Sequence, residues 1–236
     1  MKSHAEQRNT EKPPAECLRE RRHRILRQEI KAVTLRLALA HGYDHVTVEM
    51  ISAQAGISPR TFFNHFSSKD EAVLTGPPTP PEQAAAAFVA AGPAAPRAVL
   101  ADLLRLLIAG LSESPPEREA MRDLYELTRG HPVLLAGMLA RFAAAETALA
   151  LTVAERLGPE APEELPALLA ALALTTVRTG LERWSAAPCP PGQDTVTGQN
   201  TVFVQNTEAA DSPVGYVERA AATLDALFCP SGASVG

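Results

Sequence analysis

The chain has little of what would hold a fold together by covalent or metal bonds. It contains only three cysteines in 236 residues, Cys17, Cys189 and Cys229. They are too few and too far apart for a disulfide framework, and no pair has the spacing of metal ligands. The six histidines show no zinc spacing either. We therefore expect reduced thiols and predict neither a metal site nor a cofactor.

Long apolar segments are also missing from the sequence. No stretch of about 18 uncharged apolar residues suggests a membrane span, and the polar first 20 residues hold no apolar run of the kind found in signal peptides. We accordingly expect a cytoplasmic protein without membrane contact. Aromatic residues make up only 5% of the chain, whereas alanine and leucine dominate its later parts. Because both are strong helix formers, the composition favours an all-α protein.

Charge is distributed unevenly along the chain. Residues 1–69 carry 12 basic and 7 acidic side chains, a net charge of +5, while residues 70–236 carry a net charge of −10. A basic segment in an acidic chain suggests that one end meets a polyanion. A solvated basic tail would give the same numbers, so charge alone does not decide between the two interpretations.

The basic segment has the pattern of short helices joined by a tight turn. Residues 1–17 are polar and predict a disordered arm, and a first helix follows, with Leu26, Ile30, Val33, Leu37 and Ala40 on one face. Gly42 ends that helix. Thr47 caps a second helix over 48–55, and Ser58 with Pro59 starts a third that runs to about Phe66. The run Ser68-Lys69-Asp70-Glu71 predicts a capping box and a fourth helix, which Gly76-Pro77-Pro78 stops early.

Two short helices around a glycine turn, braced by a preceding helix, indicate a helix-turn-helix. In its second helix, Phe62 and Phe66 are four residues apart and can anchor one side to the core. Arg60, Thr61 and Asn64 then point outward.

The run from Thr47 to Glu71 resembles the signature of the TetR family of transcriptional regulators. The resemblance rests on the glycine turn at Gly56, the aromatic pair Phe62-Phe63, the His65-Phe66 step and Ser68-Lys69 followed by an acid. It covers residues 24–75, about a quarter of the chain. Phe63 stands where the family usually has tyrosine, so one phosphate contact through a hydroxyl is missing.

The resemblance implies a DNA-binding role for particular side chains. Arg60, Thr61 and Asn64 would face base edges, while Thr47, His65 and Lys69 would lie against phosphates. Arginines of the first helix would follow the phosphates or reach the minor groove. The whole predicted DNA-binding set is Arg22, Arg24, Arg27, Thr47, Ser58, Pro59, Arg60, Thr61, Phe63, Asn64, His65 and Lys69.

The rest of the chain predicts a second helical domain. We expect an N-terminal three-helix helix-turn-helix DNA-binding domain over 18–75 and a helical ligand-binding and dimerisation domain over 82–236, with a mobile loop at 188–213. Its helices are predicted at 82–92, 97–113, 116–130, 132–157, 163–187 and 214–228. No motif identifies ligand-binding residues. The polar, aromatic and sulfur-bearing side chains that could line a pocket are Tyr125, Arg129, His131, Met138, Arg178 and Trp184, although packing or surface roles are commoner for each.

By the same resemblance, the helices at 163–187 and 214–228 would form the interface of a homodimer, with Leu168, Leu172, Thr175 and Leu224 on their apolar faces. Such a dimer would read a palindromic operator in double-stranded DNA. A small apolar or amphipathic molecule would release this repressor by favouring another conformer.

Two other interpretations remain open at this stage. The protein could be a transcriptional activator or a ligand-independent regulator of the same fold. It could also be a helical small-molecule-binding protein or an enzyme with a non-functional helix-turn-helix. Against an enzyme, the sequence lacks a G-x-S-x-G elbow, an H-E-x-x-H pair, a P-loop and a Rossmann glycine run.

Overall fold

The computed structural model describes residues 15–188 and 211–228, with side chains from Arg21 onward. All regular structure in these ranges is helical, which confirms the predicted all-α class. The chain divides into two compact units, Met1–Val73 and Leu74–Gly236. The arm predicted at 1–17 and the loop predicted at 188–213 lie outside the described residues, apart from their inner edges.

The N-terminal unit is built from short helices whose ends are set by caps. The first helix ends before Gly42, whose φ of 82° favours glycine. The Thr47 hydroxyl accepts a hydrogen bond from the Met50 amide at 3.3 Å, and the Ser58 hydroxyl accepts one from the Thr61 amide at 3.0 Å. The elements are α1 Ala15–His41, a 3-10 turn Tyr43–His45, α2 Val48–Gln54, α3 Pro59–His65 and α4 Lys69–Val73.

The buried face of α1 is rotated from the predicted one. Ile30 and Val33 are buried as expected, but Ala40 is exposed, whereas Thr34 and Ala38 are buried. The prediction counted only apolar side chains. Thr34 can be buried because its hydroxyl donates to the Ile30 carbonyl at 2.7 Å, so no polar atom is left without a partner.

The start of α4 differs from the predicted capping box by one residue. Ser68 does accept from the Glu71 amide at 3.1 Å. The Glu71 carboxylate, however, accepts from the amide of Ser67 at 2.7 Å and from the Ser67 hydroxyl at 2.8 Å, not from the amide of Ser68. As predicted, α4 is short, and no helix resumes before Glu82.

The C-terminal unit contains longer helices within a few residues of the predicted bounds. The helix predicted from 132 begins at Pro132, whereas the helix predicted from 116 begins two residues later, at Arg118. The elements are α5 Glu82–Ala90, α6 Pro96–Glu113, α7 Arg118–Gly130, α8 Pro132–Leu157, α9 Leu165–Ala186 and α10 Pro213–Phe228.

Helix α9 is the centre of this unit and packs against α6, α7, α8 and α10. Its contact with α10 is very close at Gly180, where an added Cβ atom would lie 2.7 Å from the Cα atom of Val217. Val217 is fully buried. Only glycine therefore permits this approach of the two backbones.

Helices α8 and α9 are long and apolar enough to cross a membrane by length and composition alone. Half of the apolar segment of α9 is buried within the unit, as in the core helix of a soluble protein. Only 11% of the corresponding segment of α8 is buried, and Leu139 and Leu151 are exposed on it.

Replacement of Gly180 by alanine should destabilise the C-terminal unit, because the new methyl group meets backbone atoms of Val217 that cannot rotate away. Overpacking of this kind costs about 1–3 kcal/mol. Thermal unfolding followed by circular dichroism should show a lower Tm for Gly180→Ala. Gly130→Ala is the matched control, since nothing lies within 4 Å of the added atom. Equal Tm values for the two variants would contradict the close-packing account.

Candidate DNA-binding surface and helical-domain cavity

Helix α3 has one buried and one exposed face, as the sequence predicts. Phe62 and Phe66 are 0% and 1% exposed, with ring centroids 5.7 Å apart. Arg60 and Asn64 are exposed, and Phe63 is 56% exposed on the same outer side. Thr61 is half-buried, since its hydroxyl is bonded to that of Ser58 at 2.9 Å. A slim helix with a cationic and an amide side chain on its free face suits a major groove.

The N-termini of α2 and α3 present capping side chains at the surface. Thr47, Ser58 and Pro59 are exposed. The Thr47 hydroxyl oxygen accepts from the Met50 amide, and its hydrogen is donated to the Glu49 carboxylate. The pKa of Glu49 is lowered by a hydrogen bond from its own amide and then by this one from Thr47. A phosphate contact would therefore replace the Glu49 carboxylate as the acceptor. An outward hydroxyl donor beside the positive end of a helix is suited to a phosphate oxygen.

Lys69 is held more firmly than the sequence suggests. Its ammonium donates to the carbonyls of Tyr43 and Val46 at 3.0 and 3.1 Å and lies 4.5 Å from the centre of the Tyr43 ring. The Tyr43 hydroxyl in turn donates to Asp70. Burial, followed by the Asp70 hydrogen bond, raises the pKa of Tyr43 above its usual range. Lys69 thus closes the 3-10 turn onto α4, with one of its three N–H groups left for phosphate.

Arg27 corrects the sequence prediction. Its guanidinium donates to the main-chain carbonyl of His65 and to the Glu71 carboxylate at 3.0 Å, and it covers the Phe66 ring at 4.1 Å. Arg27 therefore joins α1 to the ends of α3 and α4, and we remove it from the set of phosphate contacts. Its position three and seven residues before the buried Ile30 and Thr34 is the sequence signal for this inward orientation.

His65 lies against a partner that the sequence did not indicate. Its ring stacks on that of His23 with centroids 4.2 Å apart, and its Nδ1 atom is buried with no hydrogen-bond partner among the residues that the structure describes. Burial, then the charges of His23 and Arg27, lower the pKa of His65. The ring is therefore neutral at pH 7, so a phosphate contact would be a hydrogen bond through Nε2.

The stack of His23 on His65 places the start of α1 beside the end of α3. Arg22 and Arg24, which flank His23, are both exposed. They add positive charge next to the outer face of α3, as DNA backbone binding requires. No group of three or more potential metal ligands occurs among the described residues.

A cavity of about 390 Å³ lies between α7, α8 and α9 in the C-terminal unit. Four of the six pocket candidates, Tyr125, Arg129, Met138 and Arg178, line it, whereas His131 and Trp184 do not. Of the remaining lining side chains, Thr175 was predicted for the dimer interface, and the others were not predicted to have a role. Those on α8 follow helical spacing and could have been found by it: Leu135, Leu139, Phe142 and Glu146.

The Glu71 interactions predict how acid affects the N-terminal unit. Burial raises the pKa of Glu71, but hydrogen bonds from Ser67 and the Arg27 guanidinium outweigh it and bring the pKa to about 2. Because this folded-state pKa is depressed, Glu71 contributes stability above about pH 4.3, its unfolded value, which is lost as pH falls through 2. For a side chain that is 31% exposed, we expect Glu71→Gln to cost about 1–2 kcal/mol at pH 7.

Hydrogen exchange of the full chain would measure this effect as faster exchange of the amides of α3 and α4. Glu29→Gln, which changes an exposed glutamate of α1, is the control and should leave those rates unchanged. Equal protection of wild type and Glu71→Gln at pH 7 would contradict the proposed contribution of this carboxylate.

Both units match families of known proteins. Residues 30–74 match the family model of bacterial regulatory proteins of the tetR family, and residues 97–198 match that of the MftR C-terminal domain. The HTH-type transcriptional regulator TcmR of Streptomyces glaucescens is 32% identical over 181 residues, which cover 73% of this chain and 78% of that protein. An uncharacterized HTH-type transcriptional regulator of Mycobacterium bovis, Mb1581, is 48% identical over 46 residues, which cover 20% of this chain and 23% of that protein.

These matches agree with the geometry of both units. The tetR model covers the capped helices and the outward face of α3, and the identity to TcmR extends well into the second unit. Members of this family are ligand-responsive DNA-binding transcriptional regulators, usually repressors, and not in general enzymes. The chain belongs to the TetR family of transcriptional regulators.

Proposed function

We propose that this regulator is a homodimeric repressor that binds a palindromic operator and leaves it when a small molecule binds its helical domain. The proposal rests on the burial pattern of α3, in which Phe62 and Phe66 are fully buried and Arg60 and Asn64 are exposed. A helix fixed so firmly on one side presents its other side in a defined orientation, which readout of bases needs.

Each exposed side chain of α3 has a defined part in this proposal. Arg60 can form two hydrogen bonds to a guanine, and Asn64 can form two to an adenine. Phe63 offers an apolar edge to a thymine methyl group. Thr61 lies with Arg60 and Asn64 on the side of α3 that faces the bases. The contacts that position the protein on phosphates come from Arg22, Arg24, Thr47, Ser58, His65 and Lys69. Pro59 borders the DNA backbone without a hydrogen bond, since proline has no N–H.

Exposed apolar residues of the C-terminal unit support a homodimer. On α9, Leu168 is 58% exposed and Thr175 is exposed, with Leu172 half-buried on the same face. On α10, Leu227 and Phe228 are 75% and 51% exposed. Two such helices from each copy can form a four-helix interface, and its twofold symmetry requires an operator with twofold symmetry.

Selection of bound sequences from a random duplex pool tests the DNA-binding proposal. We expect a palindrome for the wild type. Arg60→Ala should lose the preference at one position in each half-site, at a cost of about 1–3 kcal/mol per contact. Arg105→Ala, which removes an exposed arginine from α6, is the matched control and should select the wild-type sequence. Failure to enrich any sequence at low salt would overturn the proposal.

Light scattering of purified protein tests the homodimer. Leu168→Glu should yield monomers, because it places a charge within the proposed apolar interface. Val133→Glu changes a residue of α8 that is 64% exposed and lies outside that interface, so it should remain dimeric. A wild-type monomer at micromolar concentration, or a dimeric Leu168→Glu variant, would contradict an interface on α9.

A further inference from the structure

The cavity between α7, α8 and α9 has the size of a small-molecule site. Its volume of about 390 Å³ lies within the range of roughly 300–1,000 Å³ that is usual for ligand pockets. Three helices contribute side chains at helical spacing, so the whole wall is fixed by regular structure. The described residues that line it are Tyr125, Thr128, Arg129, Leu135, Met138, Leu139, Phe142, Glu146, Leu174, Thr175, Arg178 and Glu182.

Most of this wall is apolar. Its apolar side chains are Leu135, Met138, Leu139 and Phe142 of α8 and Leu174 of α9. Leu139 is 60% exposed, so the apolar lining reaches the surface of the described unit. A ligand body seated here would have to be apolar, and an aromatic or branched skeleton would contact Phe142 and Met138 well.

One end of the cavity carries an excess of positive charge. Arg178 pairs with Glu182 at 3.0 Å, so the charges of these two groups largely cancel. Arg129 is exposed and has no carboxylate partner within 4.0 Å in the described part of the chain. An unneutralised guanidinium at the edge of an apolar cavity favours a ligand with a negative group.

Tyr125 supplies a hydrogen-bond donor at the same end. Burial, followed by the nearby Glu182 charge, raises the pKa of Tyr125 to about 12. Its hydroxyl therefore stays protonated at neutral pH and can donate to an oxygen anion. Tyr125 and Arg129 are four residues apart on α7, so their side chains lie on the same face of that helix.

The second acidic side chain of the cavity, Glu146, lies away from Arg129. Glu146 follows Leu135 by eleven residues on α8, which corresponds to about 16 Å along the helix. The short connection between α8 and α9 makes them antiparallel neighbours. Counted back from that connection, Glu182 is level with about residue 140 of α8, and Glu146 lies about 9 Å farther along. Arg129 directly precedes the start of α8, about 20 Å along that helix from Glu146. The charge of Glu146 does not cancel that of Arg129.

We propose that this cavity binds an amphipathic organic anion, with its acidic group between the Tyr125 hydroxyl and the Arg129 guanidinium and its apolar body against Met138, Phe142 and Leu174. The inference deepens the proposed function, on which it rests for its regulatory meaning, by naming the chemical class of the signal.

The groove between α6 and α10, of about 300 Å³, has no comparable excess of charge. Arg97 there forms two hydrogen bonds of 2.6 Å to Asp225. Arg105 pairs with Asp102 at 2.6 Å. Asp102 also pairs with the buried Arg156. Both arginines that line this groove nevertheless have a carboxylate within 4.0 Å, unlike Arg129, so Arg105 provides a matched control.

Two fluorescent dyes with the same aromatic skeleton test the proposal on the full chain without DNA. 8-Anilinonaphthalene-1-sulfonate carries an anionic group, and N-phenyl-1-naphthylamine is its uncharged counterpart. We expect one sulfonate dye per protomer, bound more tightly than the neutral dye. Arg129→Gln should raise the dissociation constant of the sulfonate dye about tenfold or more, which corresponds to the loss of one charge-assisted hydrogen bond. It should change the dissociation constant of the neutral dye by no more than about twofold.

Two control variants distinguish binding at this cavity from nonspecific binding of the dyes to apolar surfaces. Arg105→Gln should bind both dyes like the wild type. Tyr125→Phe should also lower the affinity for the sulfonate dye, while the helical content and Tm of this variant stay those of the wild type. Equal affinity for the two dyes, or an equal loss in Arg129→Gln and Arg105→Gln, would overturn the anion site.

Operator binding in the presence of saturating sulfonate dye is measured separately. Release of the operator by wild type and its retention by Arg129→Gln at the same dye concentration would support both the site and its regulatory role. If the dye binds through Arg129 but operator affinity does not change, the anion site stands and the proposed response to ligand fails. The two proposals therefore fail in different measurements.

Discussion

The position of α3, the helix that would enter the major groove, depends on the Arg27 guanidinium. One planar cation reaches the last carbonyl of α3, the Glu71 carboxylate of α4 and the face of Phe66. These short helices have too few residues to be stable alone, so they take their orientation from the longer α1 through this contact. Together with the buried Phe62 and Phe66 rings, this contact gives the free face of α3, with Arg60 and Asn64, a defined orientation relative to α1.

The sequence predicted the helix-turn-helix well because its determinants are local. Thr47, Ser58 and Gly42 each fix a helix end through neighbouring residues, and the spacing of Phe62 and Phe66 fixes which side is buried. The roles of Arg27 and Lys69 were not predicted, since their hydrogen-bond partners lie 23 to 44 residues away in sequence. The sequence of a DNA-binding unit does not show whether a basic side chain forms contacts within the protein or contacts a DNA phosphate.

In the helical domain, the helices could be predicted from the sequence but the functional site could not. Its helices could be placed within a few residues from proline positions and apolar spacing, yet the cavity could not, because a cavity is defined by side chains of three helices that no local pattern links. Tyr125 and Arg129 were candidates only as uncommon residue types in an apolar region. The pairing of Arg178 with Glu182, which leaves Arg129 as the unneutralised cation, required the structure.

The absence of a side chain at Gly137 determines where the chain packs directly after α4. Leu74, the residue that directly follows α4, is 2% exposed, and its Cδ1 atom would lie only 2.6 Å from a Cβ atom at Gly137. The chain thus leaves the DNA-binding unit at Val73 and is seated one residue later in a notch on α8. Leu135 and Met138, which are close to Gly137 in sequence, line the cavity. An occupant that moved this part of α8 would therefore also move Leu74, the residue bonded directly to the last residue of α4.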